Sequence, residues 1–275
     1  MALVLRIAVT AAAIAFSSAA CGHAHEAPTT DRALLGEDAT DANDIASQAS
    51  SLTAAFTLAQ TAAPLADVDA VVAAAAQARE SFLPAGCIAI ASDTGSHSVT
   101  YTLDHCFGPW GLARISGTVT AVYALSTVGG ASVLKVDASS DAIRFDRASA
   151  SYRATATITA TDLVREMTWS GEITGTTARG RPLHRTAYFN ATWRVGQSCV
   201  RLDGSADGDV TGRGFTTTVS GYVRCKGECP RAGGDVSILE KSTGRTIDVQ
   251  FTGSDVAIVR DDGATYDVTL PCTPD

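Results

Sequence analysis

The sequence predicts a mainly β protein: a large antiparallel sheet, meander-like and curved, preceded by an N-terminal α-helical hairpin. Past residue 84, apolar and polar residues alternate with a period of two in runs separated by turn signals, and no βαβ alternation appears. Ahead of them, two alanine-rich stretches repeat apolar residues at helical spacing. Six cysteines in the body of the chain, an even set, suggest covalent bracing of that sheet.

Residues 1–20 read as an export signal. Arg6 precedes a run from Ile7 to Phe16 that is apolar except for Thr10, and Ser17, Ser18, Ala19 and Ala20 then lead to Cys21. The run is about ten residues, and crossing a bilayer takes roughly twenty, so a retained transmembrane helix is not expected. The small residues Ser18 and Ala20 suit an ordinary signal peptidase, which would leave Cys21 free at or near a soluble N-terminus. "SAAC" also resembles the bacterial lipoprotein signal, whose cysteine is acylated and becomes residue one of the mature chain; Ser18 stands where that signal usually has Leu.

Cysteine arithmetic bears on the choice, because seven cysteines cannot all pair within one chain. Without Cys21 there remain Cys87, Cys106, Cys199, Cys225, Cys229 and Cys272, an even set that in an exported chain reads as a disulfide framework. Cys21 is then the expected lipidation site, carrying palmitate. The alternative is a free thiol or an intermolecular bridge at Cys21.

Residues 21–43 read as the lipidated cysteine and a flexible tether, polar and without a period that could build a core. The tether contains His23 and His25, whose spacing would let two imidazoles reach one metal ion, but no rigid Cys or carboxylate partners accompany them, and no metal or other cofactor is expected. Residues 44–84 form the helical hairpin. In residues 44–62, Ile45, Ala49, Leu52, Phe56 and Ala59 make one stripe; in residues 65–83, Leu65, Val68, Val72 and Leu83 share a face, and Pro64 separates the two. Core packing is the economical reading of both stripes, a partner-binding helix the alternative.

Residues 85–275 form the β domain. Ala150, Tyr152, Ala154, Ala156 and Ile158 alternate with Ser151, Arg153, Thr155, Thr157 and Thr159, and the runs through Trp169 and through Phe189 repeat the pattern. One face is therefore dry and one wet, as in many antiparallel sheets. "VGGA" at 128–131, "TGR" at 243–245 and "DDGA" at 261–264 mark turns, and Asp262-Gly263 is a strong hairpin signal. A weak repeat, "RISGTVTA", "TWSGEITG" and "TVSGYVRC", places Gly117, Gly171 and Gly221 on the apolar face, where an interior glycine marks a bulge or a close approach, here to the helices or to bulky neighbours such as Trp169.

The whole chain has 275 residues and a net charge of −8; removal of residues 1–20 takes away one arginine, so the remaining 255 carry −9. That balance excludes a basic nucleic-acid groove and an electrostatic hold on anionic lipid, and leaves acyl chains on Cys21 as the means of membrane attachment.

"CIAIASDTGSHSVTYTLDHCFGPWGLARISGTV" from Cys87 and "SGYVRCKGECPRAGG" from Ser220 resemble segments of a group of uncharacterised predicted bacterial lipoproteins; His105 stands where that group has Gly. The resemblance implies a disulfide-braced sheet and an envelope address but no reaction. It also implies the pairs Cys87 with Cys106, Cys199 with Cys225, and Cys229 with Cys272.

Three chemical motifs are weak. "DGSADGDVTGRG" sets Asp203, Ser205, Asp207 and Gly208 at calcium-loop spacing but has Gly214 where a bidentate Glu is needed, so a polar hairpin loop is the simpler account. Asp104 adjoins His105, yet no G-x-S-x-G elbow or H-E-x-x-H helix fixes a catalytic constellation. Cys225 and Cys229 have a spacing open to zinc, but export favours disulfides. The expectation is a non-enzymatic cell-envelope lipoprotein with a structural or partner-binding sheet. Gly22 after the anchor leans toward the outer membrane by resemblance to the enterobacterial sorting rule. A lipid or small-ligand binding protein is the alternative, and a secreted hydrolase a distant one.

Overall fold

The computed structural model describes residues 30–56, 67–112, 114–129, 131–161, 163–225, 228–270 and 272. Cys21, the signal at residues 1–20 and the pair His23 and His25 lie outside them. Two α-helices precede the sheet, α1 (Thr30–Phe56) and α2 (Val68–Ala75), the second followed by a single 3-10 turn at Ala78–Ser81. The strands are β1 (Ile88–Asp93), β2 (Ser98–Cys106), β3 (Ile115–Val128), β4 (Ala131–Phe145), β5 (Ala148–Thr161), β6 (Val164–Thr176) and β7 (Pro182–Arg194). They continue with β8 (Cys199–Val210), β9 (Arg213–Cys225), β10 (Asp235–Glu240), β11 (Thr246–Phe251), β12 (Val256–Asp261) and β13 (Ala264–Thr269).

All thirteen strands form one sheet in sequence order, each antiparallel to the next, the meander that the alternation and turn signals predict. The three turn signals sit between β3 and β4, β10 and β11, and β12 and β13. In the last, Asp262 and Gly263 have φ of 47° and 82°, the left-handed pair that a tight hairpin demands.

The helix bounds correct two expectations. The described part of helix α1 is already helical at Thr30, inside the segment read as a tether, and α2 is much shorter than the helix expected over residues 65–83. Helix this early in the chain has an electrostatic cause that hydrophobic periodicity does not register. Arg181, in the β6–β7 connection, reaches Glu37 at 2.8 Å and Asp38 at 2.5 Å, and Arg179 reaches Glu37 at 3.4 Å. Ion pairs thus hold these turns of a polar helix against the sheet.

Further along, α1 is enclosed. All twelve residues from Ile45 to Phe56 are buried, Ser47, Gln48, Ser50, Ser51 and Thr53 among them, so the helix has a dry surface on every side rather than the single stripe that its larger apolar residues suggest. It packs against β4 to β9, and α2 packs against β2 and β3. Small side chains make this possible, since a column of Ala and Ser lets the sheet curl close around the helix. Two buried hydroxyls return to the helix itself: Ser50 donates to the Ser47 carbonyl at 3.0 Å and Thr53 to that of Ala49 at 2.9 Å.

The curl brings distant strands together. Trp110, in the β2–β3 connection, is fully buried against Trp193 of β7, with ring centroids 5.5 Å apart. Its indole N–H points to the Gln197 carbonyl at 3.4 Å. Inward residues from β1 to β13 belong to one apolar cluster, and the outward face carries Arg153, Glu166, Glu172 and Arg194. A lipid-facing barrel has the opposite arrangement, apolar outside and polar within. No helix among the described residues is long and apolar enough to cross a membrane.

Disulfides brace three places: Cys87–Cys106, Cys199–Cys225 and Cys229–Cys272, the pairs implied by the resemblance. The first links the start of β1 to the end of β2. The second joins directly opposed residues of β8 and β9, and the third ties the C-terminal segment to the β9–β10 connection.

Candidate functional site

The surface where the sheet meets α1 is the place where a ligand would have to lie, so its polar groups decide what the interior can do. Near the ends of both helices, the hydroxyls of Tyr101 (β2) and Tyr123 (β3) lie 2.7 Å apart. Tyr123 donates to the carbonyl of Phe56 on α1 at 3.0 Å, and Tyr101, 3.3 Å from the carbonyl of Ala75, the last residue of α2, shares its one proton between that carbonyl and the Tyr123 oxygen. A carbonyl at a helix C-terminus lacks an intrahelical partner, and at Ala75 the Tyr101 phenol supplies one. Burial raises the pKa of both phenols far above the ordinary tyrosine value, so they stay protonated donors. The ring of Phe56 stacks on Tyr101 at 3.8 Å.

Toward the middle of α1, Trp169 of β6 donates to Thr53 at 3.1 Å, and Arg224 of β9 donates to the Ser47 hydroxyl at 3.2 Å. On β7, Arg185 is wholly buried and donates to Thr217 of β9 at 2.6 Å. These contacts attach the helix and sheet to each other and occupy the concave face. The depression next to them, about 390 Å³ and open to solvent, lies at the rim, between Asp67 and Val68 at the start of α2 and His97, Tyr123, Ala124 and Leu125.

The residues singled out by sequence are spread around the sheet. Asp203, Ser205 and Asp207 lie along β8, not in a loop; residues two apart on a strand are separated by about 6.5 to 7 Å, so the three cannot converge on one ion as a calcium loop requires. Their carboxylates have structural partners. Asp203 accepts from Arg201 at 2.9 Å and from the Gly221 backbone N–H at 2.6 Å, and Asp207 accepts from Lys241 at 2.6 Å and Thr216 at 2.8 Å. Among the described residues no group of three or more His, Cys, Asp or Glu is arranged to hold a metal ion.

The Asp104 carboxylate meets His105 Nδ1 at 2.6 Å, with both side chains well exposed. Ser116, across the β2–β3 ladder, uses its hydroxyl to accept the His105 backbone N–H at 2.9 Å. His105 sits at a bulge between Leu103 and Cys106 with φ of 52°. Glycine adopts that left-handed conformation without the steric cost that a side chain brings. Cys225 and Cys229 belong to two different disulfides, which leaves neither thiolate for zinc.

The three Ser-Gly copies have three different causes. At Gly171 a Cβ would fall 2.5 Å from the Trp169 ring, the bulky neighbour expected there. At Gly117 it would fall 2.4 Å from the Ala142 carbonyl, across a bulge between β3 and β4. Gly221 has φ of 63° and donates to Asp203 at an irregularity between β8 and β9; the phase of β9 shifts there, so Tyr222 turns inward where the alternation had placed Val223.

No chemical motif contains Arg185, although the sequence carries a signal for it. Carrying the alternation of Phe189 and Ala187 two residues back puts Arg185 on the dry face. A charge in the dry phase of a strand is the pattern that picks it out.

Compared with known protein families, curated proteins and solved structures, the chain matches none.

Proposed function

We propose that the chain is a non-enzymatic cell-envelope lipoprotein: acyl chains on Cys21 hold it at the membrane, and the curled, disulfide-braced sheet is a structural or partner-binding domain. One observation carries this reading. Six of the seven cysteines are consumed in three disulfides, so Cys21, at the end of an export-type signal, has no partner left within its own chain. The same disulfides fit an oxidising compartment. Its resemblance to predicted bacterial lipoproteins supports the envelope address, and Gly22 after the anchor supports the outer membrane.

The filling of the concave face supports a structural or partner-binding role over the carriage of a lipid, because α1 takes the volume that a carrier leaves for its ligand. Asp104 and His105 lend little to a hydrolytic reading: among the described residues the His105 ring bonds to Asp104, and the nearby Ser116 hydroxyl bonds to the His105 backbone N–H rather than to the ring.

The test is incorporation of radiolabelled palmitate in the native host, together with the intact mass of the mature protein under non-reducing conditions. A labelled chain beginning at Cys21, with acyl mass added and six hydrogens missing, is the expected result. Equal labelling of the Cys21→Ser variant would sink the anchor.

A further inference from the structure

Among the described residues, the buried cation Arg185 meets no carboxylate. Arg185 is 0% exposed and sits on the inner face of β7, with Ile173 of β6 and Gly208 of β8 beside it in register. Gly208 brings no side chain to that position. Nη2 donates to Thr217, itself fully buried, whereas Nε and Nη1 have no hydrogen-bond partner among the described residues.

Two partly buried arginines of the fold do meet carboxylates. Arg245 makes a two-pronged pair with the buried carboxylate of Asp261, and Arg181 meets Glu37 and Asp38. Among the described residues, the carboxylates that act on Arg185 are Asp207 and Asp209 of β8, neither in contact with it. Asp207 is on the outer face, bonded to Lys241 and Thr216, and Asp209 accepts from the Gly212 backbone N–H at 3.3 Å and lies 4.0 Å from His184. Burial depresses the guanidinium to about 10, which still leaves it charged at neutral pH. An enclosed charge of this kind costs several kcal/mol unless an opposite charge meets it.

We propose that Arg185 and Thr217 form an internal binding site for a small monovalent anion, either a halide or the carboxylate of an organic acid. One charge suits one guanidinium, since a doubly charged oxyanion would leave a buried negative charge. Small size follows from the enclosure, in which Leu183, Ala187, Ile173 and Phe215 are all buried. A bound anion takes up the N–H groups that Thr217 does not, and it links β7 to β9 across the glycine of β8.

Thermal unfolding of the disulfide-intact chain tests this, with sodium chloride or acetate titrated at constant ionic strength against a bulkier sulfonate, isethionate. Beyond its Kd, a bound anion should raise the midpoint by about 3 to 5 °C per tenfold increase in concentration. In Arg185→Met the dependence should vanish. If that variant does not fold, bromide soaked into crystals of the wild type should give an anomalous peak within hydrogen-bonding distance of the guanidinium. A chloride response identifies a halide site; a response to acetate, without chloride, identifies an organic carboxylate. Midpoints indifferent to the anion, an equal response in Arg185→Met, or bromide found only elsewhere would overturn the site.

Discussion

Trp169 and Thr53 meet inside the curl, the indole N–H of β6 donating to the hydroxyl of α1 at 3.1 Å. Thr53 in turn donates to the Ala49 carbonyl, so one hydroxyl links the sheet to the helix backbone. The Trp169 ring also covers Gly171 and lies 6.0 Å from that of Phe189. Gly171→Ala would force the ring away from both, and such overpacking costs about 1 to 3 kcal/mol. Thr53→Val leaves the indole N–H buried and unpaired, also at about 1 to 3 kcal/mol. Urea unfolding of each variant, followed by tryptophan emission, should show lower midpoints for both; a wild-type midpoint for Thr53→Val would mean that the hydrogen bond adds nothing.

Trp110 is the contact through which the β2–β3 connection holds the far side of the curl. It is fully buried at a φ of 55°, a strained conformation for a bulky residue, and surrounding packing must maintain it. Trp110→Ala should cost about 3 to 5 kcal/mol. Hydrogen exchange gives the more specific readout: the ends of β7 and β8 near Trp193 and Gln197 should lose protection together with the β2–β3 connection, while β10 to β13 keep theirs. Uniform loss along the sheet would show that Trp110 is ordinary core.

These two sites indicate what could be read from sequence. Strands were legible because each buries one face, which writes a period of two into residues such as those from Ala150 to Ile158. Hairpin turns were legible because Asp262 and Gly263 are residue types that accept positive φ. The early part of α1 was not, because Glu37 and Asp38 find their partners at Arg179 and Arg181, more than 140 residues away. The all-round burial of α1 was hidden too, since Ser47, Ser50 and Ser51 look like a wet face until a sheet closes over them. At Gly221 a bulge shifts the phase of β9, and a strict alternation cannot anticipate it.

His105 bears a backbone cost that glycine would avoid. A non-glycine residue held at positive φ is disfavoured by about 1 to 3 kcal/mol, part of which glycine returns through its freer unfolded chain. His105 is exposed, and its ring bonds only to its exposed neighbour Asp104 among the described residues. His105→Gly should therefore stabilise the fold by about 1 kcal/mol, while the hydrogen bond from its backbone N–H to Ser116 persists. Calorimetry checks the sign, and a lowered midpoint would show that the ring contributes more than the strain removes.

Acid should weaken the sheet through identifiable carboxylates. At the end of β10, burial opposes ionisation of Glu240, but hydroxyls from Thr243 and Ser242 at 2.6 and 2.8 Å, with Arg213 and Arg245 nearby, hold its carboxyl below the ordinary glutamate value. The hydrogen bond from Lys241 does the same for Asp207, as the one from Arg201 does for Asp203. Because each folded pKa is depressed, the unfolded chain binds protons first as pH falls. The stabilisation from these groups is complete above the ordinary carboxylate range and is lost as pH drops through the folded values, from about pH 5 downward. Glu240→Gln removes one titrating group but keeps its shape, so it should lower the urea midpoint at pH 7 and flatten the decline between pH 5 and 3. Parallel curves for variant and wild type would show that Glu240 contributes no pH dependence.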